Sequence, residues 1–526
     1  VSSSYPPSPE RPKRRGRLAV GALATALFAQ LLGGTSVAAP APEPLTWQPC
    51  ESPYGVGTFE CATLTVPVDR ERPQGATVDL ALARHRATDP EHRIGPLLVN
   101  PGGPGGSGRE FAFAAPLSFS PDLLERFDIV GFDPRGIGLS DPVTCDEELI
   151  AAQESLLYPD SGSSFAALRR TNRVLGDDCR ARTGSLVDHM DSTSVARDMD
   201  AIRAGLGEER ISYYGVSYGT ALGERYAELF PDRVRAMTLD SVIDHSLDSW
   251  TLQKTRATAM EESFGQFADW CARTASCVLH GRDVRALFDS LYRRAAAGEL
   301  SWGGDVLFTD EHLQRLALNF LYGTADWFRF AEFLADLDTP DPAGARSSLR
   351  VQGAPAAYGY FPVLCQDFDL AVPSYATLAG YRRRLARVAP VTRFSTLAWT
   401  DLTGCQGWPA KVADPQHELH IDGTPPILVT NSRYDIATPH VWGAGVARQI
   451  GREAVFLTYD GAGHGDYWSS PCARDAIDTY LTTLVPPADG THCPAVWPTG
   501  PSAPRRSQGD GPVDPLPALL GTGTRG

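Results

Sequence analysis

Apolar residues along this chain fall into short unbroken blocks separated by longer, more polar stretches. Pro96-Leu-Leu-Val-Asn100, Phe127-Asp-Ile-Val-Gly-Phe-Asp133, Ile211-Ser-Tyr-Tyr214, Val234-Arg-Ala-Met-Thr-Leu-Asp240, Pro426-Ile-Leu-Val-Thr430 and Ala454-Val-Phe-Leu-Thr-Tyr459 read as strands buried on both faces. The intervening residues 147–207, the run after Thr220 and the stretch from Ala473 to Leu484 read as helices. Buried strands alternating with helices predict a mainly parallel sheet flanked by helices, with functional loops at the carboxyl ends of the strands. Earlier, Phe59 to Pro67 and Thr77 to Arg84 alternate apolar and polar residues, as antiparallel strands covered on one face do.

Residues 241–410 break the alternation. Met260-Glu-Glu-Ser-Phe-Gly-Gln-Phe-Ala-Asp-Trp270 and His312-Leu-Gln-Arg-Leu-Ala-Leu-Asn-Phe-Leu321 are rich in helix formers and aromatics, and predict a helical cap inserted before the last strands. The predicted organisation is an α/β core in two parts, 39–240 and 411–495, around a cap at 241–410, with a Pro/Gly-rich tail at 496–526. From Val485 onward the chain is expected to be poorly ordered apart from Cys493.

Charge and cysteine usage place this fold in a compartment. Arg11, Lys13, Arg14, Arg15 and Arg17 precede an apolar run from Leu18 to Leu32 and the small residues Gly33 to Ala39, the pattern of a secretory signal peptide spanning 1–38. Arg14-Arg15 hints at twin-arginine export, and no cysteine sits at the cleavage site to suggest a lipoprotein. The net charge is −15, which argues against nucleic acid as a partner and against a polybasic membrane surface. Ten cysteines with no C-x-x-C suit an oxidising exterior. Pairing nearest neighbours (50–61, 145–179, 271–277, 365–405 and 472–493) is the simplest connectivity, since each pair closes one local loop. These features predict a secreted protein, monomeric and free of the membrane after signal cleavage.

Candidate chemistry centres on Ile211-Ser-Tyr-Tyr-Gly-Val-Ser-Tyr-Gly-Thr-Ala221. Gly215-x-Ser217-x-Gly219 between a strand and a helix has the form of a nucleophile elbow, which lifts Ser217 Oγ above the sheet edge. A serine hydroxyl needs a base, and the base an orienting carboxylate. Asp435 follows one late strand, and His464 lies in the glycine-rich loop after the next. The order Ser217, Asp435, His464 is that of α/β-hydrolases. Asp240, at the end of an earlier strand, is a rival for the acid. Acyl transfer also needs oxyanion donors. The backbone N–H groups of Tyr218 and of Gly103, in Asn100-Pro-Gly-Gly-Pro-Gly-Gly-Ser-Gly108, are the candidates. That loop lacks G-x-x-x-x-G-K-[ST] and has no nearby lysine, so it does not read as a nucleotide site.

Pro101-Gly-Gly-Pro-Gly105, Gly131-Phe-Asp-Pro-Arg-Gly-Ile-Gly-Leu-Ser140, Gly215-Val-Ser-Tyr-Gly219, the Asp435 loop and Gly463-His464-Gly465 together resemble secreted actinobacterial tripeptidyl aminopeptidases, serine peptidases of the proline-iminopeptidase-like α/β-hydrolase group. The resemblance spans about residues 45 to 495. One departure is Asn100-Pro101 where the proline iminopeptidases carry His before Gly-Gly-Pro-Gly, which weakens any transfer of their proline preference.

The resemblance implies an α/β-hydrolase fold and an exopeptidase that cuts short peptides, of three residues, from free N-termini through an acyl-enzyme. It implies no metal or organic cofactor. The group recognises the free amine with acidic residues from the cap, for which Glu261 and Glu262 are the candidates. Arg135 is expected to tie loops together through its planar fork. An esterase or amidase acting on a small molecule could use the same triad, and acidic groups rather than a purely apolar inner wall would favour the peptide amine. A catalytically dead binding protein is the third possibility.

Overall fold

The computed structural model describes residues 44–302, 306–339 and 358–500. The predicted signal peptide and the tail beyond residue 500 lie outside the described residues.

The predicted strands all form, with a short one before them. In chain order they are β1 (Gln48–Cys50), β2 (Phe59–Pro67), β3 (Thr77–His85), β4 (Gly95–Asn100), β5 (Phe127–Phe132), β6 (Ile211–Val216) and β7 (Val234–Asp240). After a small hairpin in the cap, β8 (Ser301–Trp302) and β9 (Val306–Leu307), come β10 (Ile427–Tyr434), β11 (Ala454–Ala462) and β12 (Thr491–Cys493). The main sheet runs β1-β2-β3-β5-β4-β6-β7-β10-β11-β12. From β5 to β12 neighbouring strands are parallel, and β1, β2 and β3 add an antiparallel edge. This is an α/β-hydrolase fold.

Strand alternation divides the core. Leu98, Tyr213 and Met237 pack on one face with Met199 and Tyr226 from the helices Ser192–Gly205 and Tyr218–Leu229. Leu97, Val99, Tyr214 and Val216 face the other way, against Ile477 and Leu481 of the helix Pro471–Thr483. Both faces are covered, so the central strands read as continuous apolar blocks.

Between β7 and β10 the regular structure of the described residues is helical apart from the β8–β9 hairpin. Its longest helix, Ser249–Arg273, starts at Asp248, whose side chain accepts from the Thr251 N–H. Phe264, Phe267 and Trp270 from this helix meet Trp327 and Phe330 in a separate aromatic core. The cap therefore has its own hydrophobic nucleus, which meets the sheet at Tyr434 and Ala462.

All five nearest-neighbour disulfides are present: Cys50–Cys61, Cys145–Cys179, Cys271–Cys277, Cys365–Cys405 and Cys472–Cys493. Arg135 is fully buried and forks onto both carboxylate oxygens of Asp198, 2.7 Å to each, while also donating to the Val68 and His189 carbonyls. It joins the loop after β5 to the β2 end and to a flanking helix.

The segment after Val485 differs from expectation. Residues 491–493 form β12 beside β11, and Tyr459 Oη accepts from Val496 N at 3.0 Å. Trp497 stacks on Trp327 with ring centroids 5.5 Å apart, and Trp270 Nε1 donates to the Pro498 carbonyl. High Pro and Gly content suggested disorder, but the Cys472–Cys493 bond ties the strand to the helix Pro471–Thr483 and Trp497 supplies apolar area to bury.

Candidate active site

Ser217 leaves β6 with φ 57° and ψ −128°, a left-handed conformation rare for a residue with a side chain. The surrounding backbone enforces it. Ser217 N donates to the Asp240 carbonyl at 3.0 Å, and its own carbonyl accepts from the Thr220 hydroxyl at 2.7 Å. Close approach of main chain to main chain explains the two flanking glycines: a Cβ on Gly215 would lie 2.5 Å from the Gly219 carbonyl oxygen, and one on Gly219 2.6 Å from that of Asn100.

The glycine loop after β4 lands on this elbow. Gly102, at φ +86°, packs so tightly that a Cβ would come within 2.6 Å of Tyr218 N. Its N–H is held by Asn100 Oδ1 at 2.9 Å, so a side chain at the end of β4 braces the loop. Gly103, Ser217 and Tyr218 line one cavity. The two predicted oxyanion donors and the serine thus share a floor.

Asp435 and His464 also come together. Asp435 Oδ2 accepts from His464 Nδ1 at 2.8 Å, and both side chains are fully buried. Asp435 Oδ1 takes the N–H groups of Ala437 and Thr438, and the Thr438 hydroxyl donates to Oδ2 at 2.8 Å. With Nδ1–H committed to the carboxylate, Nε2 is the basic nitrogen. It is buried and, among the described residues, has no hydrogen-bond partner, Ser217 Oγ included. Such bonds are often long before substrate arrives.

Asp240, the rival acid, does something else. It accepts from the Tyr214 hydroxyl at 2.7 Å and from the N–H groups of Asp466 and Tyr467, just after His464. Burial holds its pKa above the usual carboxylate range. Because the Asp240 carbonyl also holds Ser217 N, this one residue fastens the serine turn to the histidine loop.

The cap closes the cavity from the other side. Tyr360 and Leu364 come from the helix Tyr360–Asp367, Leu252, Gln253 and Arg256 from Ser249–Arg273, and Leu397, Ala398 and Asp401 from Thr396–Gly404. Apolar side chains dominate this lining, with a buried ion pair among them. Asp401 accepts from Arg256 and, at 2.6 Å, from the Tyr360 hydroxyl. The Cys365–Cys405 disulfide ties two of the contributing helices together.

Glu261 and Glu262 are not in that lining, which corrects the expectation for amine recognition. Both Glu261 oxygens accept from Val391 N, and one also takes Thr392 N and the Thr392 hydroxyl. Its carboxylate is consumed holding a cap loop. Glu262 is exposed, and the charge that acts on it is that of Arg433 in β10, outside the cavity. The acid that does face the cavity is Asp401. Nothing local in the sequence marks it, because its role depends on helices distant along the chain. Thr438 was also missed, although Asp435-Ile-Ala-Thr438 has the spacing of an Asx-type turn.

Three relatives bear on this geometry. A tripeptidyl aminopeptidase of Streptomyces coelicolor is 32% identical over 461 residues, covering 84% of each chain. The serine protease Hip1 of Mycobacterium tuberculosis is 30% identical over 484 residues, 86% of this chain and 91% of the relative. Residues 389–493 match the family model described as "TAP-like protein". The chain belongs to the tripeptidyl aminopeptidase-like family. A further relative, carboxylesterase B of M. tuberculosis, is 32% identical over 463 residues, 83% of this chain and 87% of its own. This TAP-like chain is a serine hydrolase. The part matched by the family model carries Asp435, His464 and Asp401, whereas Ser217 and the glycine loop lie upstream. Among the described residues of the TAP-like chain, no helix is long and apolar enough to cross a membrane.

Proposed function

We propose that this enzyme is a secreted serine exopeptidase that removes short peptides, three residues at a time, from free N-termini. Ser217 Oγ attacks the scissile carbonyl as His464 Nε2 takes its proton, and Asp435 holds the imidazolium that forms. The N–H groups of Tyr218 and Gly103 receive the oxyanion. Collapse of the tetrahedral intermediate breaks the C–N bond, and His464 returns the proton to the leaving amine. Water then adds to the acyl-enzyme with His464 again as base, which releases the short peptide and restores the Ser217 hydroxyl.

One observation carries the exopeptidase reading over other uses of the triad: the chamber above Ser217 is walled by the cap, and that wall holds the buried carboxylate of Asp401. A chamber walled by the cap favours chain ends, and Asp401, although paired with Arg256 and Tyr360, is the acid of that wall beside which a terminal ammonium can bind. The names of the Streptomyces and Hip1 relatives support peptide substrates. Export is supported by the N-terminal sequence pattern and the five disulfides.

An esterase reading draws on the largely apolar lining and on the carboxylesterase B relative. One panel decides between them: a free-amine tripeptide anilide, its N-acetyl form, shorter anilides and a butyrate ester. Cleavage of the free-amine tripeptide, lost on acetylation and reduced on the order of 10⁶-fold in Ser217→Ala, is the expected result. Turnover of the ester alone would overturn the peptidase reading.

A further inference from the structure

Gln253 lines the Ser217 chamber and is 3% exposed. Its Nε2 donates to the Ala398 carbonyl. A carbonyl can only accept, so this bond fixes which way the amide points and leaves Oε1 as the group without a partner. Oε1 is buried and unpaired among the described residues. One turn along the same helix, Arg256 pairs with Asp401, which itself stands three residues beyond Ala398. Two rungs, Gln253–Ala398 and Arg256–Asp401, therefore clip the same two helices together at the chamber wall.

The rungs differ in what they leave over. In the second, Asp401 accepts from both Arg256 and Tyr360, and Arg256 Nε donates to the Ala437 carbonyl at 2.8 Å. In the first, a neutral acceptor is left empty. A buried acceptor without a donor is costly, and a ligand that brings the donor removes the cost. The rungs are about 4.5 Å apart along the helix axis, so a group with several N–H donors can meet both.

We propose that Gln253 Oε1 accepts a hydrogen bond from the N-terminal ammonium of the substrate peptide, beside the charge of Asp401. The assignment rests on the exopeptidase reading. It makes Gln253 a specificity-determining residue, because an acetylated or amine-free substrate brings no such donor.

The test compares Gln253→Leu, Gln253→Glu and a matched control, Gln314→Leu, with the parent enzyme. Gln314 makes the same kind of bond, to the Thr392 carbonyl, with its Oε1 also unpaired, but away from the chamber. Each protein is assayed on the free-amine tripeptide anilide and the butyrate ester. Folding is followed by thermal melting, and Ser217 by labelling with a serine-directed phosphonate.

Gln253→Leu is expected to lower kcat/KM for the peptide about tenfold to a hundredfold through KM, with ester turnover and phosphonate labelling retained. Gln253→Glu lacks the donor to Ala398 but keeps the acceptor, so it is expected to hold peptide activity near the parent level. Gln314→Leu is expected to match the parent. Equal losses on peptide and ester in Gln253→Leu, or a peptide loss in Gln253→Glu as deep as in Gln253→Leu, would overturn the assignment and leave Gln253 as a helix clip. A parent enzyme that takes only the ester would overturn the exopeptidase reading and this inference with it.

Discussion

The floor of the chamber and its cap-side wall are built by different means. At the floor, main chain lies on main chain: Gly102 against Tyr218 N, and Gly219 against the Asn100 carbonyl, at distances that admit no side chain. The wall is made of side chains from three helices, joined by the Arg256–Asp401 pair, the Gln253–Ala398 bond and the Cys365–Cys405 disulfide. A backbone floor fixes one geometry for the reacting atoms, as preorganised oxyanion stabilisation requires. A side-chain wall can be recut one residue at a time. Within one family, chemistry can therefore stay constant while substrate preference moves.

The sharpest way to break this contrast is at the floor. Gly102→Ala should displace the glycine loop from the elbow and lower kcat about a hundredfold or more on peptide and ester alike. Steady-state kinetics on both substrates would check it, and a loss confined to the peptide would contradict a shared floor. A substitution in the cap but outside the wall should do the opposite. Glu261→Ala strips the acceptor from Val391 and Thr392, so it should cost about 1–3 kcal/mol of stability while leaving the ratio of free-amine to acetylated turnover unchanged. Chemical denaturation and the substrate pair together test that.

The smallest effect is expected where floor and wall meet. The Tyr218 hydroxyl donates to Asp367 of the cap at 2.6 Å, and Ser192 donates to the same carboxyl through its N–H and its hydroxyl. Burial, reinforced by the charges of Asp414 and Asp191, pushes the Asp367 pKa up to about 8 despite those donors. A carboxyl that holds its proton more tightly folded than unfolded adds stability at low pH. That contribution fades as pH climbs from the ordinary 3.8 through about 8. The melting temperature of Asp367→Asn should fall less steeply over that window than the parent's. Parallel curves would remove Asp367 from the account.

The same contrast decides what could be read from the chain. Ser217, Asp435 and His464 were legible because each follows a strand whose apolar block marks it, and because tight turns announce themselves as glycines. The disulfide pattern was legible because every pair is a sequence neighbour. Glu261 misled because its acidity and its place in the cap were visible, while its partners Val391 and Thr392 lie about 130 residues away. Asp401 and Gln253 gave no signal, since a polar residue on an amphipathic helix looks the same whether it faces solvent or a chamber. Order after Val485 was hidden behind composition, although Cys493 and Trp497 were the residues that made it possible.

His464 is held from two sides. Its side chain belongs to the core, through Asp435, but its backbone N–H donates to the carbonyl of Tyr322 in the cap at 2.9 Å, and Gly323 bridges to Gly463 beside it. Displacing this corner of the cap would break two backbone contacts of the loop that carries the base. The base and this corner of the cap therefore share one attachment, and a substitution that loosens either one is felt by the other.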